Sequence, residues 1–162
     1  YVGLLYMGLM LTDAGAKVLE YNVRFGDPEC QALMPRLRSD LVDICEASLD
    51  GKLDQLDLAW DPRTSVCVTL ASGGYPGDYR NGLPITGLAD AEARGATVFH
   101  AGTKDAAGKL VTAGGRVLSV VGLGSDLDQA REVAYGACDV IRFDGKHCRR
   151  DIGKRKDARK KA

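Results

Sequence analysis

The sequence predicts an α+β protein whose strands are mainly antiparallel. An apolar run at 2–12 and an alternating segment at 17–23 are separated by the turn residues DAGA, an arrangement typical of a β-hairpin. Later in the chain, short apolar segments bounded by glycine indicate further strands, at 65–71, 83–86, 96–100, 109–112 and 115–122. Apolar residues at helical spacing indicate two amphipathic helices, one beginning near Ser39 and one near Asp126.

The composition is that of an ordinary globular protein. The 162 residues are 45% hydrophobic and 27% charged, which excludes a disordered chain or a fibrous repeat and allows one sizeable core or two small ones. No apolar run approaches the roughly 18 to 20 residues that span a bilayer, and the N-terminus lacks the order of a signal peptide. We therefore expect a cytoplasmic protein. Because Tyr1 already lies in an apolar pattern, we also expect a piece of a longer protein.

Charge is distributed unevenly, although the formal net charge is zero. Residues 151–162 carry six Lys or Arg against two Asp or Glu, whereas the rest of the chain carries 16 against 20. The basic tail, which we place at 154–162, can bind nucleic acid or an acidic surface, but a terminal run of charge is usually a solvated chain end, and we favour that interpretation. Neither interleaved aromatic residues nor a recognition helix accompanies it, which disfavours a nucleic-acid-binding protein.

The five cysteines, at 30, 45, 67, 138 and 148, contain no C-x-x-C pair. Their odd number and their spacing indicate neither a disulfide framework nor a zinc site, so we interpret them as reduced packing residues. His147 and Cys148 are adjacent, as a base and a nucleophile would be. Neighbours on an extended chain point to opposite sides, however, which disfavours that interpretation.

The second strand of the predicted hairpin has a polar and an apolar face, since strand side chains alternate with period two. One face carries Val18, Glu20, Asn22 and Arg24. The other carries Leu19, Tyr21, Val23 and Phe25. We expect the apolar face to be packed and the polar face to be open to a ligand or to solvent.

Two helices are predicted between the hairpin and the strand-rich region. The first, at about 28–34, begins with Pro28 as its first residue and has Asp27 as its N-cap. The second is amphipathic and is capped by Ser39 or Asp40.

The polar segment 54–62 is a candidate boundary between two structural units, since the composition changes after it. At the other end of the strand-rich region, a last helix runs from Asp126 to about Val140, with Ser125 as its expected cap. Its apolar stripe consists of Leu127, Ala130, Val133, Ala134, Ala137 and Cys138.

Glu20 and Asn22 form a candidate metal site. Their spacing on a strand places two oxygen ligands on one side, about 6 to 7 Å apart. Mg²⁺ is commonly held by one or two protein oxygens together with waters and substrate phosphates. Arg24, on the same predicted face, can pair with a phosphate or a carboxylate. An exposed polar face on an ordinary edge strand explains the same pattern, and the residues alone leave both interpretations open.

Several longer segments together resemble a known enzyme family. They are VLEYNVRFGDPECQ, SGGYPGDYRNG, VFHAGTK, TAGGRVLSVVGLG and CRRDIG, in that order. Through them the sequence closely resembles phosphoribosylamine-glycine ligase, also called glycinamide ribonucleotide synthetase, from Tyr1 to about Gly153. This family belongs to the ATP-grasp ligases. The resemblance implies the end of an ATP-grasp lobe at 1–60, followed at 61–153 by a small, mainly antiparallel β-rich C-terminal domain with a packing helix.

The resemblance also implies a reaction of purine biosynthesis. In this family ATP phosphorylates the carboxylate of glycine, and the amine of 5-phosphoribosylamine displaces the phosphate to give glycinamide ribonucleotide. The Glu and Asn of the family's E-[FY]-N motif hold Mg²⁺ or Mn²⁺ against the ATP phosphates, and they match Glu20 and Asn22. The implied partners are ATP, glycine, 5-phosphoribosylamine and the N-terminal part of the same enzyme, with no nucleic acid and no membrane.

Other motif residues complete the implied site. Arg24 and Asp27 of the RFGDPE motif are expected to be catalytic, although Asp27 as a helix cap alone is an alternative. The expected substrate-binding residues are Arg24, Glu29, Gly73, Gly74 and Asp78. We interpret His100 of VFHAGT as a residue that orders a loop at a strand end, since attack by an amine on an acyl phosphate demands little of a general base.

Two hypotheses for the chain stay open. It is either the C-terminal part of the ligase, inactive without the upstream part, or a stand-alone, non-catalytic binding or interaction module derived from it. The joint presence of Glu20, Asn22 and the RFGDPE motif favours the ligase, since a module freed from catalysis does not need them. Without the upstream part, we expect an uncovered apolar side of the hairpin to favour self-association. Its residues are Leu4, Leu5, Leu9 and Leu11.

Overall fold

The structure, a computed structural model, describes residues 1–154, which divide into two compact units. The first unit is Tyr1–Asp61, and the second begins at Pro62. Both contain helices, and every strand pairing is antiparallel, so the predicted α+β class is confirmed. The predicted basic tail lies outside the described residues except for Lys154. Within residues 1–154, no helix is long and apolar enough to cross a membrane.

The predicted hairpin opens the first unit. Its strands are β1 (Tyr6–Thr12) and β2 (Gly15–Asn22), which pair in antiparallel fashion. Thr12 pairs with Gly15, so the turn between them has two residues. Gly15 has a φ of +100°, a conformation that favours glycine.

A β-bulge at Leu19 changes which side chains share a face of the hairpin. Gly8 pairs with Glu20, but Leu9 pairs with Val18, so Leu19 is an extra residue in β2. Cross-strand partners lie on the same face, and Gly8 and Leu9 point to opposite faces. Val18 and Glu20 therefore lie on opposite faces, and the prediction that they share one is wrong.

β2 ends at Asn22, whereas the sequence pattern continues to Phe25. The reason is the partner strand: β1 begins at Tyr6, which pairs with Asn22, so the chain beyond Asn22 has no strand beside it. Arg24 therefore lies in the connection after the strand.

The apolar face predicted for β2 is mostly not packed against other residues within residues 1–154. Leu19 is 63% exposed, Tyr21 58% and Val23 66%, while Phe25 is half-buried. The leucines expected to be uncovered are mostly so, since Leu5, Leu9 and Leu11 are exposed and Leu4 is half-buried. The self-association expected from them stays a prediction.

The remaining elements of the first unit are short. They are α1 (Glu29–Leu33), a 3-10 turn at Met34–Arg36, α2 (Leu41–Leu49) and a 3-10 turn at Leu53–Gln55. The predicted cap of α2 is confirmed, since the Asp40 carboxylate accepts a hydrogen bond of 2.7 Å from the backbone N–H of Val42.

The predicted start of α1 is wrong by one residue. Pro28, with φ −101° and ψ 25°, is the non-helical N-cap rather than the first helical residue. The Asp27 carboxylate accepts a hydrogen bond of 3.0 Å from the side chain of Gln31. In addition, Glu29 accepts a hydrogen bond from the backbone N–H of Gly26, so a side chain inside the helix holds the loop before it.

The second unit contains a three-stranded sheet, a separate hairpin and two helices. In the sheet, β7 (Arg116–Gly124) lies between β3 (Thr64–Ala71) and β4 (Thr97–His100). The hairpin consists of β5 (Thr103–Ala106) and β6 (Lys109–Thr112), and the helices are α3 (Leu88–Ala93) and α4 (Leu127–Val140).

Three elements here differ from the prediction. The segment 83–86 is not a strand, because Pro84 has no N–H to continue a ladder, and only isolated bridges form at Pro84 and Thr86. β5 and α3 were not predicted. α3 follows Gly87, which has a φ of +84° and provides no side-chain cap, so the usual start signal of a helix is missing.

β7 is the centre of the core of the second unit. Its buried residues Val117, Leu118, Val120 and Val121 are at most 1% exposed. The facing side of α4 consists of small residues, namely Ala130, Ala134, Ala137 and Cys138. Gly122 and Gly124 of β7 also carry no side chain toward the helix, so strand and helix backbones approach closely.

The N-cap of α4 provides a first testable prediction. The Asp126 carboxylate, rather than Ser125, caps the helix by accepting a hydrogen bond of 2.8 Å from the backbone N–H of Gln129. We expect Asp126→Ala to lower the free energy of unfolding by about 1 kcal/mol. The bond that Ser125 makes to Gln129 uses its backbone N–H, so Ser125→Ala should change stability by less than about 0.5 kcal/mol. Urea denaturation followed by circular dichroism measures both, and equal losses would contradict the assignment.

Candidate functional site

Glu20 and Asn22 lie side by side near the end of β2. The Asn22 side-chain amide donates a hydrogen bond of 3.1 Å to Oε1 of Glu20, so the two side chains share one face of the hairpin. The stem of Glu20 crosses Gly8 of β1, where a Cβ would lie 3.3 Å from Cγ of Glu20. This arrangement leaves the amide oxygen and the second carboxylate oxygen as further acceptors close to one another.

The chemistry of this pair suits a hard cation. Carboxylate and amide oxygens are the donor types that Mg²⁺ takes, and Mg²⁺ needs only one or two of them from the protein when phosphates and waters supply the rest. Within residues 1–154, no group of three His, Cys, Asp or Glu side chains forms a metal site. The donor set therefore fits Mg²⁺ or Mn²⁺ held jointly with a phosphorylated ligand better than a closed all-protein site.

The loop after β2 carries the other predicted site residues of the first unit. Arg24 is exposed, and its Nη1 donates a hydrogen bond of 3.1 Å to the carbonyl of Phe25. Oε2 of Glu29 accepts a hydrogen bond of 3.0 Å from the backbone N–H of Gly26. A Cβ at Gly26 would lie 2.6 Å from the same oxygen and 2.9 Å from Cβ of Glu29, so a larger residue at this position would displace the Glu29 side chain. Glu29 thus holds the loop that presents Arg24 and Asp27.

The predicted residues of the second unit lie in the loop that follows β3. Gly74 has a φ of +99°, and a Cβ on it would lie 2.0 Å from the carbonyl oxygen of Asp78. A Cβ on Gly73 would lie 2.7 Å from the carbonyl oxygen of Gly145. Both glycines are therefore needed for close backbone contacts that shape the loop.

This loop lines a cavity of about 330 Å³. Gly73 and Asp78 lie in its wall, whereas Gly74 is not among its lining residues. Its lining also includes Arg80 and Asp144, which form an exposed ion pair of 2.5 Å. The sequence reasoning missed this pair. Arg80 follows the GGYPGDY motif directly, but no pattern in the sequence marks Asp144.

The two histidines have local structural roles. His100 lies at the end of β4, and its Nδ1 is 3.0 Å from the hydroxyl of Thr103, in agreement with a loop-ordering residue. His147 pairs through its backbone with Ala71 of β3, at 2.7 and 2.9 Å. Its neighbour Cys148 is half-buried against the core. Burial raises the pKa of the nearby Cys138 to about 12, so that thiol stays protonated at neutral pH.

Two family profiles match the chain. The profile described as "Phosphoribosylglycinamide synthetase, C domain" matches residues 65–155. The profile described as "Phosphoribosylglycinamide synthetase, ATP-grasp (A) domain" matches residues 1–30, a segment that includes both Glu20 and Asn22.

Similar proteins carry the same family name. The chain is 53% identical over its whole length to a phosphoribosylamine–glycine ligase of Vibrio cholerae and 52% identical over 94% of its length to one of Caldanaerobacter subterraneus. It spans 38% and 36% of those proteins. The crystal structure of a phosphoribosylamine–glycine ligase from Thermotoga maritima matches 91% of this chain, with a TM-score of 0.77 and 37% identity, over 36% of its own length. The family inferred from the motifs is thus confirmed, and the chain belongs to the phosphoribosylglycinamide synthetase family.

Proposed function

We propose that this chain is the C-terminal part of a ligase of purine biosynthesis that joins glycine to 5-phosphoribosylamine. The complete enzyme uses ATP to convert glycine to glycyl phosphate, and the amine of 5-phosphoribosylamine then displaces phosphate to give glycinamide ribonucleotide. Because the chain spans less than two fifths of the relatives named above, the activity belongs to the longer protein, and the upstream part is its first partner.

The paired side chains of Glu20 and Asn22 carry this proposal. They project together from β2, inside the segment that matches the ATP-grasp profile of a family whose named relatives are ligases. In the complete enzyme these two residues would hold Mg²⁺ or Mn²⁺ beside the ATP phosphates. When bound, the metal neutralises charge on the phosphate oxygens and on the departing ADP.

The other predicted residues bind and orient the substrates in this proposal. Arg24, an exposed guanidinium on a loop held by Glu29, pairs with a carboxylate or phosphate of the reactants. Asp27, on the same loop, attracts the ammonium group of glycine through its negative charge. The loop of Gly73 and Gly74 offers backbone N–H groups to an anionic ligand, with Asp78 beside it.

Complementation of a purine-requiring bacterial strain tests the proposed ligase activity. We expect the complete gene to restore growth without purines to a bacterial strain that lacks its own phosphoribosylamine–glycine ligase. The purified complete protein should release phosphate from ATP only when glycine and 5-phosphoribosylamine are both present. The 162-residue chain alone should show neither activity, because the ATP-grasp profile covers only residues 1–30. Failure of the complete protein in both assays would overturn the proposed function.

A further inference from the structure

Gln31, in the segment RFGDPECQ, follows the loop that carries Arg24 and Asp27 and is the third residue of α1. Its side-chain amide donates a hydrogen bond of 3.0 Å to Oδ1 of Asp27. The two residues are four apart in the chain, the spacing at which side chains meet across one helical turn. Gln31 is half-buried, whereas Asp27 is exposed. The side chain of Gln31 therefore reaches from a partly buried position to an exposed carboxylate.

The first three residues of α1 hold the loop before the helix. Oε2 of Glu29 accepts a hydrogen bond of 3.0 Å from the backbone N–H of Gly26, and the backbone N–H of Cys30 donates one of 2.9 Å to the carbonyl of Gly26. These two contacts fix the backbone of the loop. The contact made by Gln31 is different, because it fixes the side chain of Asp27. A carboxylate whose orientation is set by a neighbouring group binds a ligand with less loss of entropy.

The oxygen of the Gln31 amide makes no comparable contact. Oε1 is buried, and within residues 1–154 it has no hydrogen-bond partner. A buried amide oxygen without a partner is unfavourable, and an apolar side chain of the same length would avoid this cost. The gain in stability from a Gln–Asp pair at helical spacing is small. Stability therefore does not explain glutamine at this position, whereas a role in orienting Asp27 does.

An amide is a donor that leaves the charge of its partner in place. A Lys or Arg side chain at this position would also orient Asp27, but its positive charge would compensate that of the carboxylate. The Gln31 amide is neutral, so Asp27 keeps its full attraction for a cationic ligand. A primary ammonium group, with three N–H donors and one positive charge, is a ligand that such an oriented carboxylate suits.

We propose that Gln31 is a positioning residue that orients the Asp27 carboxylate toward the ammonium group of glycine. This inference rests on the proposed function, in which Asp27 attracts that group. Glycine has no side chain, so a site can hold it only by its two charged ends. When the ammonium group is fixed, the carboxylate at the other end is placed for phosphoryl transfer as well. Gln31 thus increases the affinity for glycine and takes no part in binding ATP.

Steady-state kinetics of three variants of the complete protein test the proposal. Gln31→Met removes the donor and keeps the length of the side chain, and we expect it to raise KM for glycine about tenfold and to change KM for ATP by less than about twofold. Gln31→Lys keeps an N–H donor but neutralises Asp27, so it should raise KM for glycine similarly. If Gln31 only stabilised the loop, Lys would replace it, because an Asp–Lys pair at this spacing is also stabilising. Gln55→Met is the matched control, since Gln55 is an exposed glutamine of the same unit, and it should change neither KM by more than about twofold.

Thermal unfolding and glycine binding complete the test. Gln31→Met should unfold at no lower temperature than the parent, because it also removes the buried unpaired oxygen. A parent-like KM for glycine in either Gln31 variant, or an equal rise of KM for ATP, would overturn the proposal. Calorimetric titration with glycine, in the presence of Mg²⁺ and a non-hydrolysable ATP analogue, separates it from the proposed function. Weaker glycine binding by both Gln31 variants of a complete protein without ligase activity would refute the function and keep the role of Gln31, whereas a parent that does not bind glycine would refute both.

Discussion

Replacing Glu20 by Gln in the complete ligase is expected to lower kcat by about 100-fold or more. The substitution keeps the size of the side chain and an oxygen that can accept the hydrogen bond from Asn22. It removes the negative charge with which Glu20 would attract a divalent cation more strongly than a neutral ligand does. Because Glu20 is exposed on the hairpin, folding should be affected little.

The controls for Glu20→Gln separate catalysis from folding. Glu46→Gln changes an exposed carboxylate of α2 in the same unit and should leave kcat within about twofold of the parent enzyme. Thermal unfolding of the two variants should coincide with that of the parent within the error of the measurement. Near-normal turnover of Glu20→Gln at saturating Mg²⁺ would exclude the ligand role of Glu20.

The sequence predicted the hairpin and the pairing of Glu20 with Asn22, because both depend on residues close together in the chain. It missed the bulge at Leu19, because a bulge results from how two strands align and Gly8 is twelve residues from Glu20. The bulge does not disturb the Glu20 and Asn22 pair, since it lies before both. It does separate Val18 from them, so period-two alternation holds on each side of the bulge but not across it.

The sequence identified only those residues of the candidate site that lie close together in the chain. Gly73, Gly74 and Asp78 were found through one contiguous motif. Arg80 and Asp144, in contrast, are 64 residues apart, and only the fold brings their charges together. Charges that meet through tertiary structure leave no periodic pattern in a single sequence.

Gly122→Val is expected to give the largest loss of stability in the second unit. A Cβ at Gly122 would lie 2.4 Å from the carbonyl oxygen of Ala130 and 2.5 Å from the backbone nitrogen of Ala134. Both are main-chain atoms of α4, which cannot rotate away as a side chain can, so the whole helix must move off the sheet. Overpacking of this kind costs about 3 kcal/mol or more, a large part of the stability of a small domain.

Gly136→Ala is the control. Gly136 lies in α4, the helix that Gly122→Val would displace, and a Cβ added there has no atom within 4 Å. Ala is the better helix former, so this variant should gain about 0.5 to 1 kcal/mol. Hydrogen exchange of the β7 amides reports on the second unit alone and measures both changes. If the β7 amides of Gly122→Val exchanged as slowly as those of the parent, the predicted loss of stability would be wrong, and the close approach of α4 to β7 at Gly122 would tolerate a side chain.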